Sequence, residues 1–432
     1  MTTSDLESWI ALQARRSADA MEKAISAVEL TRRRESFGQV VVPARGSVLA
    51  SPIAADWDPD PDYFFHWLRD SAIVMRCVAD LAGDAENETE RARWRRHFHD
   101  FASFSLKLAE PGTSAFDYRA TTRRGFRKFL RPPSEIAGLS GDKLLGEPRF
   151  NPDGTVDVFR WSRPQYDGPA LRALACLRYL AAGGTQTEDL GRLLRLDLAF
   201  TLRHAGRRCI GPWEEAGQRA HYYYTALVQL GALVHGRARV DASAGHDKAE
   251  KRLRAALDLH WSDGYRMYVA MWPATASHSE LDASVLLAVW DAELPDGPHS
   301  VQDRRVGQTQ ETIEAFFARE FPVNRGRIAP LLGRYRGDTY FGGGAWYPTT
   351  LAAAGLCYRR ARHAADRTAM IARGDAIMQA VRDITPADGA LSEQVDRVTG
   401  TQTSARHLTW SYAAFIGAAR ARAQARAVVA DA

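Results

Sequence analysis

The sequence predicts an all-α fold. Helical periodicity recurs nearly throughout the 432 residues, strand-like alternation is confined to short pieces such as 39–42 and 265–269, and no low-complexity linker divides the chain. A single domain over residues 1–432 is therefore expected. Apolar residues recur three and four positions apart in twelve segments, which run over 5–29, 67–82, 89–109, 167–183, 187–203, 219–236, 241–257, 279–293, 302–320, 345–365, 366–383 and 406–428.

The connections between these helices are alternately short and long. The long ones carry Gly, Pro, Trp, Arg and Asp and run over 35–66, 110–166, 203–218, 321–344 and 384–405. Long connections inside a compact domain are usually functional or disordered, and the aromatic content of these argues for order. The alternation predicts a double ring of helices whose long loops converge at one end.

Composition is that of an ordinary soluble globular protein. Hydrophobic residues make up 45% and charged residues 25%, and the formal net charge is only +5. No stretch reaches the roughly 20 apolar residues of a membrane span, and no basic module interleaved with aromatics indicates a nucleic-acid partner. The N-terminus lacks a secretory pattern, so a cytoplasmic protein is expected. The four widely spaced cysteines are expected to be structural thiols.

Two glutamates are the candidate catalytic pair, Glu214 in the segment 213–215 and Glu393 in the segment 391–394. Hydrolysis of a sugar–sugar bond needs one carboxyl group to protonate the leaving oxygen and a second to activate water or attack carbon. The charge of Glu215 and the indole of Trp213 favour a protonated Glu214, as a general acid requires. The alternative is that these acids only interact with the dipole of the next helix.

Three further loops carry side chains of the kinds that bind sugars, whose apolar faces stack on aromatic rings and whose hydroxyls pair with charged groups. The loop 61–71 places aromatics before Arg69 and Asp70; the alternative is a helix start with a surface ion pair. The loop 146–169 ends at the start of the next helix, which Asp167 is expected to cap. The loop 333–347 offers Arg334 and three glycines, which no Lys-Ser/Thr follows as in a phosphate loop.

In this order, these blocks resemble the glucoamylase-type inverting glycoside hydrolases of family 15. The matching pieces are Pro61-Asp62-Tyr63-Phe64 with Trp67-x-Arg69-Asp70-Ser71, Gly146-Glu147-Pro148-x-Phe150-Asn151, Trp161-x-Arg163-Pro164-Gln165-x-Asp167-Gly168-Pro169, Trp213-Glu214-Glu215, Gly333-Arg334-Tyr335-x-x-Asp338 with Trp346, and Leu391-Ser392-Glu393-Gln394 followed by Ser404-Ala405-Arg406. The resemblance implies an (α/α)6 barrel, a six-hairpin toroid with long active-site loops at one end.

The resemblance also implies roles for the matching residues. Glu214 corresponds to the general acid, Glu393 to the general base, and Tyr63 to a residue that helps to place the attacking water. Glu215 corresponds to a contact to the second sugar. The other residues expected to bind substrate are Trp67, Arg69, Asp70, Trp161, Arg163, Trp213, Arg334, Asp338 and Trp346. Among these, Arg69, Asp70 and Arg334 would grip the terminal glucose, and Trp161 and Trp213 would shape the first two subsites.

Departures from the family pattern leave the substrate preference open. Gly211 and Pro212 stand where relatives commonly carry Asp and Leu, which removes a carboxylate near the acid. The stretch 54–59, with Trp57, reads as an addition at the rim of the subsites, and glycines fill 342–344. Neither an N-terminal β-sandwich domain nor a starch-binding module is expected, so soluble oligosaccharides are favoured over granular starch.

Through this resemblance the sequence predicts an inverting exo-acting α-glucosidase of glucoamylase type that releases β-glucose from non-reducing ends of α-glucans or malto-oligosaccharides. No metal and no cofactor is expected, and the expected partner is an α-linked gluco-oligosaccharide; the oligomeric state stays open. One alternative is an α,α-trehalase or a glucodextranase specific for isomalto-oligosaccharides. The alternative from another class is a catalytically silent sugar-binding protein on the same scaffold.

Overall fold

The computed structural model describes residues 3–56, 60–110, 118–215, 219–239, 244–273 and 280–430. Trp57, expected at the rim of the subsites, lies outside these ranges. Within them the long helices number twelve and form two concentric rings. The outer ring consists of α1 (Thr3–Glu22), α3 (Glu88–Lys107), α8 (Glu188–His204), α10 (Ala244–Asp258), α12 (Arg304–Glu320) and α14 (Arg367–Ile384). The inner ring consists of α2 (Leu68–Asp84), α7 (Gly168–Ala181), α9 (Tyr223–Gly236), α11 (Ser284–Ala292), α13 (Tyr347–Ala361) and α15 (Thr409–Ala430).

The inner ring is closed. Each inner helix packs against the next in the order α2, α7, α9, α11, α13 and α15, and α15 packs back against α2. Each is covered by an outer helix, α3 on α2, α8 on α7, α10 on α9, α12 on α11, α14 on α13 and α1 on α15. This is the (α/α)6 barrel that the sequence predicts, so the fold prediction is confirmed.

The two rings differ in how their helices are buried. In α9 every residue from Tyr223 to Leu233 is buried, because neighbouring inner helices and an outer helix surround it. In α12 the buried side chains follow the three-and-four spacing of a helix with one covered face, for example Val306, Ile313 and Phe317. All four cysteines are free and buried, as expected. No helix in the described ranges is long and apolar enough to cross a membrane.

Short antiparallel strand pairs precede several inner helices and tie the long loops together. The pairs are β3 (His66–Trp67) with β4 (Arg149–Phe150), β5 (His221–Tyr222) with β8 (Met271–Trp272), and β9 (Ala345–Trp346) with β10 (Gln394–Val395), which also pairs with β11 (Gln402–Thr403). Away from them, β1 (Arg32–Arg34) pairs with β2 (Gln39–Val41), and β6 (Trp261–Ser262) with β7 (Met267–Tyr268). Residue 346 lies opposite Gln394, which brings the loop after α12 next to the segment that carries Glu393.

Several boundaries differ from the sequence prediction. The helix α1 ends at Glu22 rather than at 29, because Ile25 pairs with Val48 and Ser26 adopts a φ of 54°. The helix α9 begins at Tyr223 rather than at 219, since the preceding residues form β5. The connection 110–166 also contains short helices that periodicity does not reveal, α4 (Tyr118–Thr121), α5 (Pro133–Ala137) and α6 (Asp142–Leu145).

Candidate active site

Glu214 lies on a tight turn that leads into β5 and α9. Its backbone N–H donates to the carbonyl of Gly211 at 3.1 Å, and its φ of 62° falls in the left-handed region that non-glycine residues rarely adopt. A Cβ at Gly211 would lie 2.3 Å from the ring of Tyr222. The side chain that the family pattern places at this position therefore has no room here, because an aromatic ring occupies the space.

Four donors surround the carboxyl group of Glu214. Its Oε1 accepts from the indole N–H of Trp67 at 3.0 Å, from Nη2 of Arg69 at 2.9 Å and from Nε2 of Gln165 at 2.9 Å. Its Oε2 accepts from the indole N–H of Trp161 and lies 3.3 Å from Nε1 of Trp67. Because three donors already saturate Oε1, Oε2 is the oxygen on which a transferable proton can sit.

Buried partners hold Arg69 in this position. Its Nη1 donates to Asp167 at 2.5 Å and to Gln165 at 3.0 Å, while Nη2 reaches Glu214. The expectation that Asp167 caps α7 is wrong: its side chain makes no cap hydrogen bond, because its carboxylate balances the buried guanidinium instead. Arg69 is thereby a fixed part of the surroundings of Glu214.

Asp70 stands in the first turn of α2 with its carboxyl group free for a ligand. Burial raises the pKa of Asp70 to about 7, with a contribution from the charges of Glu214 and Glu393 and against the lowering effect of Arg69. In the described part of the chain, no other side chain donates a hydrogen bond to this carboxyl group. Asp70 is therefore placed to accept from a hydroxyl group of a substrate.

Glu393 immediately precedes β10 and is buried. Its backbone N–H donates to the carbonyl of Ala405 at 2.8 Å. Its Oε2 accepts from the hydroxyl of Ser404 and its Oε1 from the hydroxyl of Tyr63, the latter at 3.1 Å. Burial raises the pKa of Glu393, although the hydrogen bond from Ser404 and the charge of Arg334 act in the opposite direction. A base with a raised pKa accepts a proton more readily.

The rings of Tyr63 and Trp67 connect the two glutamates. Their centroids are 5.1 Å apart; the hydroxyl of Tyr63 donates to Glu393, and the indole of Trp67 donates to Glu214. The hydroxyl of Tyr63 also lies 2.8 Å from that of Tyr340. Each carboxyl group is therefore hydrogen-bonded to one ring of a single contacting pair.

Aromatic rings surround Arg334, whose guanidinium is fixed by Asp338. The bond to Asp338 is bidentate, from Nε at 2.7 Å and from Nη2 at 2.6 Å. The guanidinium carbon lies 4.8 Å from the ring centre of Tyr340, 5.5 Å from that of Trp213 and 5.7 Å from that of Trp346. These residues thus form one rigid wall, which contains the predicted positions 213, 334, 338 and 346.

A buried carboxylate anchors Trp213. The indole N–H donates to Oδ2 of Asp282 at 2.8 Å, and Oδ1 of Asp282 accepts from the backbone N–H of Ser284 at 2.6 Å, at the start of α11. Burial raises the pKa of Asp282 to about 6. The ring of Trp213 meets Trp346 edge-on at 5.1 Å, and Trp346 meets Trp410 at 5.9 Å. Sequence reasoning missed Asp282, because it lies in none of the predicted loops.

The residues on either side of Glu214 have hydrogen-bond partners of their own. Glu215 accepts from the hydroxyl of Tyr335 at 2.5 Å, and the indole N–H of Trp213 is directed to Asp282. The four donors to the carboxyl group of Glu214 come from the segment 67–69 and from the loop before α7.

Arg163 lies beside the site rather than in it. Its Nε donates to Glu147 at 2.6 Å, its Nη2 to Asp157 at 3.2 Å and its Nη1 to the carbonyl of Trp161 at 2.9 Å. The guanidinium of Arg149 stacks 3.8 Å from the ring centre of Trp161. Arg163, expected to bind substrate, thus supports the loop that carries Trp161.

Three contacts were not assigned from the sequence, those of Gln165 to Glu214, Ser404 to Glu393 and Tyr340 to Tyr63. Gln165 and Ser404 stand in the matching motifs, so an amide or hydroxyl in the same block as a candidate acid was the available signal. The described residues include no group of three or more His, Cys, Asp or Glu side chains arranged to hold a metal ion.

A closed (α/α)6 barrel with a buried and a half-buried glutamate and a wall of aromatic rings at its loop end defines a glycoside hydrolase that uses a carboxyl pair. Residues 36–420 match the family model of glycosyl hydrolases family 15. The chain therefore belongs to this family, as a glucoamylase-like member.

The similar proteins and solved structures are consistent with this family assignment. Glucoamylase-1 of Schizophyllum commune is 28% identical over 434 residues, which cover 88% of this chain and 69% of the relative. The probable glucoamylase of Schizosaccharomyces pombe is 26% identical and covers 86% of this chain and 84% of the relative. The glucoamylase structure from Saccharomycopsis fibuligera superimposes with a TM-score of 0.77 at 23% identity and covers 99% of this chain and 97% of its own. That from Hormoconis resinae gives a TM-score of 0.73 at 25% identity, covering 97% and 74%.

Proposed function

We propose that this enzyme releases β-glucose from the non-reducing ends of α-linked gluco-oligosaccharides with inversion of configuration. The observation that carries the proposal is the link between the two glutamates: Tyr63 donates to Glu393, Trp67 donates to Glu214, and the two rings are in contact. The relatives described as glucoamylases support this substrate class. A cytoplasmic location and action on soluble oligosaccharides stay predictions from the sequence.

In the proposed reaction, Glu214 donates the proton on Oε2 to the glycosidic oxygen as the bond from that oxygen to C1 breaks. The carboxylate that this leaves accepts from Arg69, Trp67 and Gln165, so the donors stabilise the charge that develops in the transition state. Glu393 takes a proton from water, whose oxygen bonds to C1 from the opposite face. That proton then passes to solvent and Glu214 is reprotonated, which completes the cycle.

The terminal sugar is proposed to lie between Asp70 and the wall around Arg334. Asp70 accepts from sugar hydroxyl groups, Arg334 donates to them, and Trp213 offers a ring to the apolar face of a sugar. Arg69 contributes by fixing Glu214, because both of its terminal nitrogens are already bonded to protein acceptors.

The direct test combines product stereochemistry with substrate choice. Proton NMR during the first turnovers of maltose is expected to show β-glucose before mutarotation, and α-glucose first would contradict the inverting pair. Glucose release is compared on maltose, maltoheptaose, isomaltose, trehalose and dextran, with the malto-oligosaccharides expected to react fastest. A clear preference for trehalose or isomaltose would instead support one of the related hydrolases.

Two variants complete this test. Glu214→Gln and Glu393→Gln are each expected to lower kcat about 100- to 10,000-fold, the usual contribution of general acid or base catalysis. Both keep the shape of the side chain, so the Tm measured by circular dichroism serves as the control for folding. Near-normal activity of either variant would exclude that residue from its role.

A further inference from the structure

The strand β1 brings two buried arginines to the loop that carries Tyr63. Consecutive arginines occupy residues 32–34. Side chains alternate between the two faces of a strand, so Arg32 and Arg34 are buried whereas Arg33 is exposed. The run is therefore not a solvated patch of charge, and its buried members need partners.

Arg34 bonds to the chain on both sides of Tyr63. Its Nε donates to Oδ2 of Asp62 at 2.7 Å, and its Nη2 donates to the carbonyl of Phe64 at 3.1 Å. The Oδ1 of Asp62 in turn accepts from the backbone N–H of Phe64, also at 3.1 Å. One guanidinium group and one carboxylate thus fix the backbone immediately before and after Tyr63.

The remaining contacts of Arg34 hold the guanidinium group itself in place. Burial lowers the pKa of Arg34, and the charge of Asp62 acts in the opposite direction. The guanidinium carbon lies 4.1 Å from the ring centre of Phe65. Its Nη1 donates to Gln39 of β2 at 2.9 Å and to Asn151 at 3.2 Å. Every guanidinium nitrogen therefore has an acceptor in the protein, so Arg34 acts on other residues rather than on a sugar.

Arg32, the other buried arginine of β1, has different main partners. Its Nη2 donates to the carbonyl of Ala55 and to Oδ1 of Asp56, the latter at 2.6 Å. The same nitrogen lies 3.3 Å from Oδ2 of Asp62. Arg32 thus supports the segment 55–56, whereas Arg34 contacts both neighbours of Tyr63.

The far end of the Tyr63 side chain is held by its hydroxyl group. This hydroxyl donates to Oε1 of Glu393 at 3.1 Å and lies 2.8 Å from the hydroxyl of Tyr340. Hydrogen bonds from a hydroxyl to an oxygen acceptor usually span about 2.5–3.0 Å, so the bond to Glu393 has little room to lengthen. A small displacement of the backbone of Tyr63 would therefore break it.

We propose that Arg34 is a positioning residue for the base, because it fixes the backbone on both sides of Tyr63 and so aims the hydroxyl of that residue at Glu393. The inference rests on the proposed function, in which Glu393 takes a proton from water. Arg34 touches neither water nor substrate in this role. It keeps the hydroxyl of Tyr63 within hydrogen-bond reach of the carboxylate that does.

A double-mutant cycle with Tyr63→Phe tests the proposal. Arg34→Lys keeps the positive charge but loses the fork that joins the two neighbours of Tyr63. It is expected to lower kcat about tenfold with little change in the KM for maltose, because the residues proposed to bind the sugar are untouched. In the Tyr63→Phe background the same substitution is expected to lower kcat less than about twofold, since the hydroxyl that Arg34 aims is absent. A loss of about tenfold in both backgrounds would show that Arg34 acts by another route and would overturn the proposal.

The pH dependence gives a second measurement. Burial raises the pKa of Glu393, and the hydrogen bond from Tyr63 is one of the contacts that oppose this rise. Arg34→Lys and Tyr63→Phe are therefore both expected to move the acidic limb of the kcat/KM profile upward by about 0.5 pH unit, because the base stays protonated to a higher pH. An unchanged profile in Arg34→Lys would also overturn the proposal.

Arg422→Lys is the matched control, because Arg422 is a buried arginine in a bidentate bond elsewhere in the barrel. It donates to Asp375 from Nε at 2.7 Å and from Nη2 at 3.0 Å, which joins α15 to the outer helix α14. Its Tm, measured by circular dichroism, is expected to fall, while kcat and the pH profile stay unchanged. An equal shift of the profile in Arg422→Lys would show a general effect of destabilisation and would overturn the proposal.

Asp62→Asn repeats the cycle from the other side of the ion pair and covers the case in which Arg34→Lys does not fold. It keeps the size of the side chain but removes the charge that holds Nε of Arg34, and its loss of kcat is expected to disappear in the Tyr63→Phe background. Glu393→Gln separates this inference from the proposed function. Near-normal activity of Glu393→Gln contradicts the function, whereas an inactive Glu393→Gln with additive effects in the cycle overturns only the role of Arg34.

Discussion

At the scale of single residues, Glu214 combines a strained backbone with a crowded carboxyl group. A left-handed conformation costs a non-glycine residue roughly 1–2 kcal/mol, and here it aims the side chain back at the loops before α2 and α7. Donors from those loops and from the first turn of α2 then meet both carboxyl oxygens. The strained backbone thus gives Glu214 the orientation that a proton donor needs. The hydrogen bonds to its carboxyl group offset the cost of that strain.

Asp282 is expected to position Trp213 rather than to take part in the chemistry. Asp282→Asn keeps the size of the side chain but leaves one acceptor oxygen for two donors, so either Trp213 or Ser284 loses its partner. The KM for maltose is expected to rise about tenfold, equivalent to about 1.4 kcal/mol, with kcat changed far less. Steady-state kinetics measures both constants.

Asp153→Asn is the matched control for this prediction. Asp153 is an exposed carboxylate that bonds only to Thr155 among the described residues, and its substitution is expected to leave KM unchanged. An unchanged KM in Asp282→Asn would show that Trp213 does not need this anchor.

Most residues of the site could be predicted, because they stand in compact motifs near one another in sequence. The partners of those residues could not. Trp213 and Asp282 are 69 positions apart, and Tyr63 and Glu393 are 330 apart, so only the fold brings each pair together. For the same reason Asp167 suggested a helix cap in the sequence, whereas its actual partner, Arg69, lies 98 positions away.

At the scale of elements, the hairpin of β10 and β11 affects the pKa of the base, Glu393. It returns the chain so that Ser404 donates to the carboxyl group of Glu393, which favours the ionised form and lowers its pKa. Since burial already raises the pKa of Glu393, this hydrogen bond keeps the base ionised at lower pH than burial alone would allow.

Ser404→Ala is therefore expected to move the acidic limb of the pH profile of kcat/KM upward by about 0.5–1 unit, the equivalent of one hydrogen bond. Without the donor the pKa of Glu393 rises further, so the base becomes protonated and inactive at a higher pH than in the native enzyme. Thr399→Ala, in the exposed turn of the same hairpin, is expected to leave the profile in place. A downward shift, or none, in Ser404→Ala would contradict this role.

The turn that carries Glu214 depends on close packing of Gly211 against Tyr222. Gly211→Ala is expected to lower stability by about 1–3 kcal/mol, because a Cβ there meets the ring at 2.3 Å, and to lower kcat/KM as the turn shifts. Chemical denaturation and initial rates measure the two effects. Gly125→Ala is the control, since a Cβ there meets nothing within 4 Å. Full activity and stability in Gly211→Ala would show that the turn tolerates the displacement.

The helices were predictable because the helices of both rings carry apolar residues at helical spacing along at least one face. Their assignment to rings was not, since burial of α9 on all sides and of α12 on one side depends on the neighbours that the fold supplies. The short elements of the loops, such as α5 and β9, span too few residues to show a period.

At the scale of the whole molecule, α15 closes the inner ring between α13 and α2. It packs against α13, α2 and α1, and the fully buried Phe415 meets Trp9 edge-on at 5.4 Å. Phe415→Ala is expected to lower the free energy of unfolding by about 3–5 kcal/mol through the cavity that it leaves. Below the transition, kcat/KM is expected to stay unchanged, because Phe415 packs against Trp9 of the outer helix α1.

Thermal unfolding followed by circular dichroism, with kinetics at low temperature, measures these effects. Leu12→Ala, at a half-exposed position on α1, is the control and is expected to shift the Tm little. Lost activity without a lower Tm in Phe415→Ala would show that α15 acts on the site directly.

The closed ring also has a consequence for biosynthesis. The residues of the site extend from Tyr63 to Ser404, and the barrel wall is complete only when α15, over Thr409–Ala430, packs against α2. Domains begin to acquire structure as they leave the ribosome, N-terminal part first. A nascent chain that has exposed Glu214 but not yet the last inner helix still has an open wall, so hydrolytic activity is expected to arise late in synthesis.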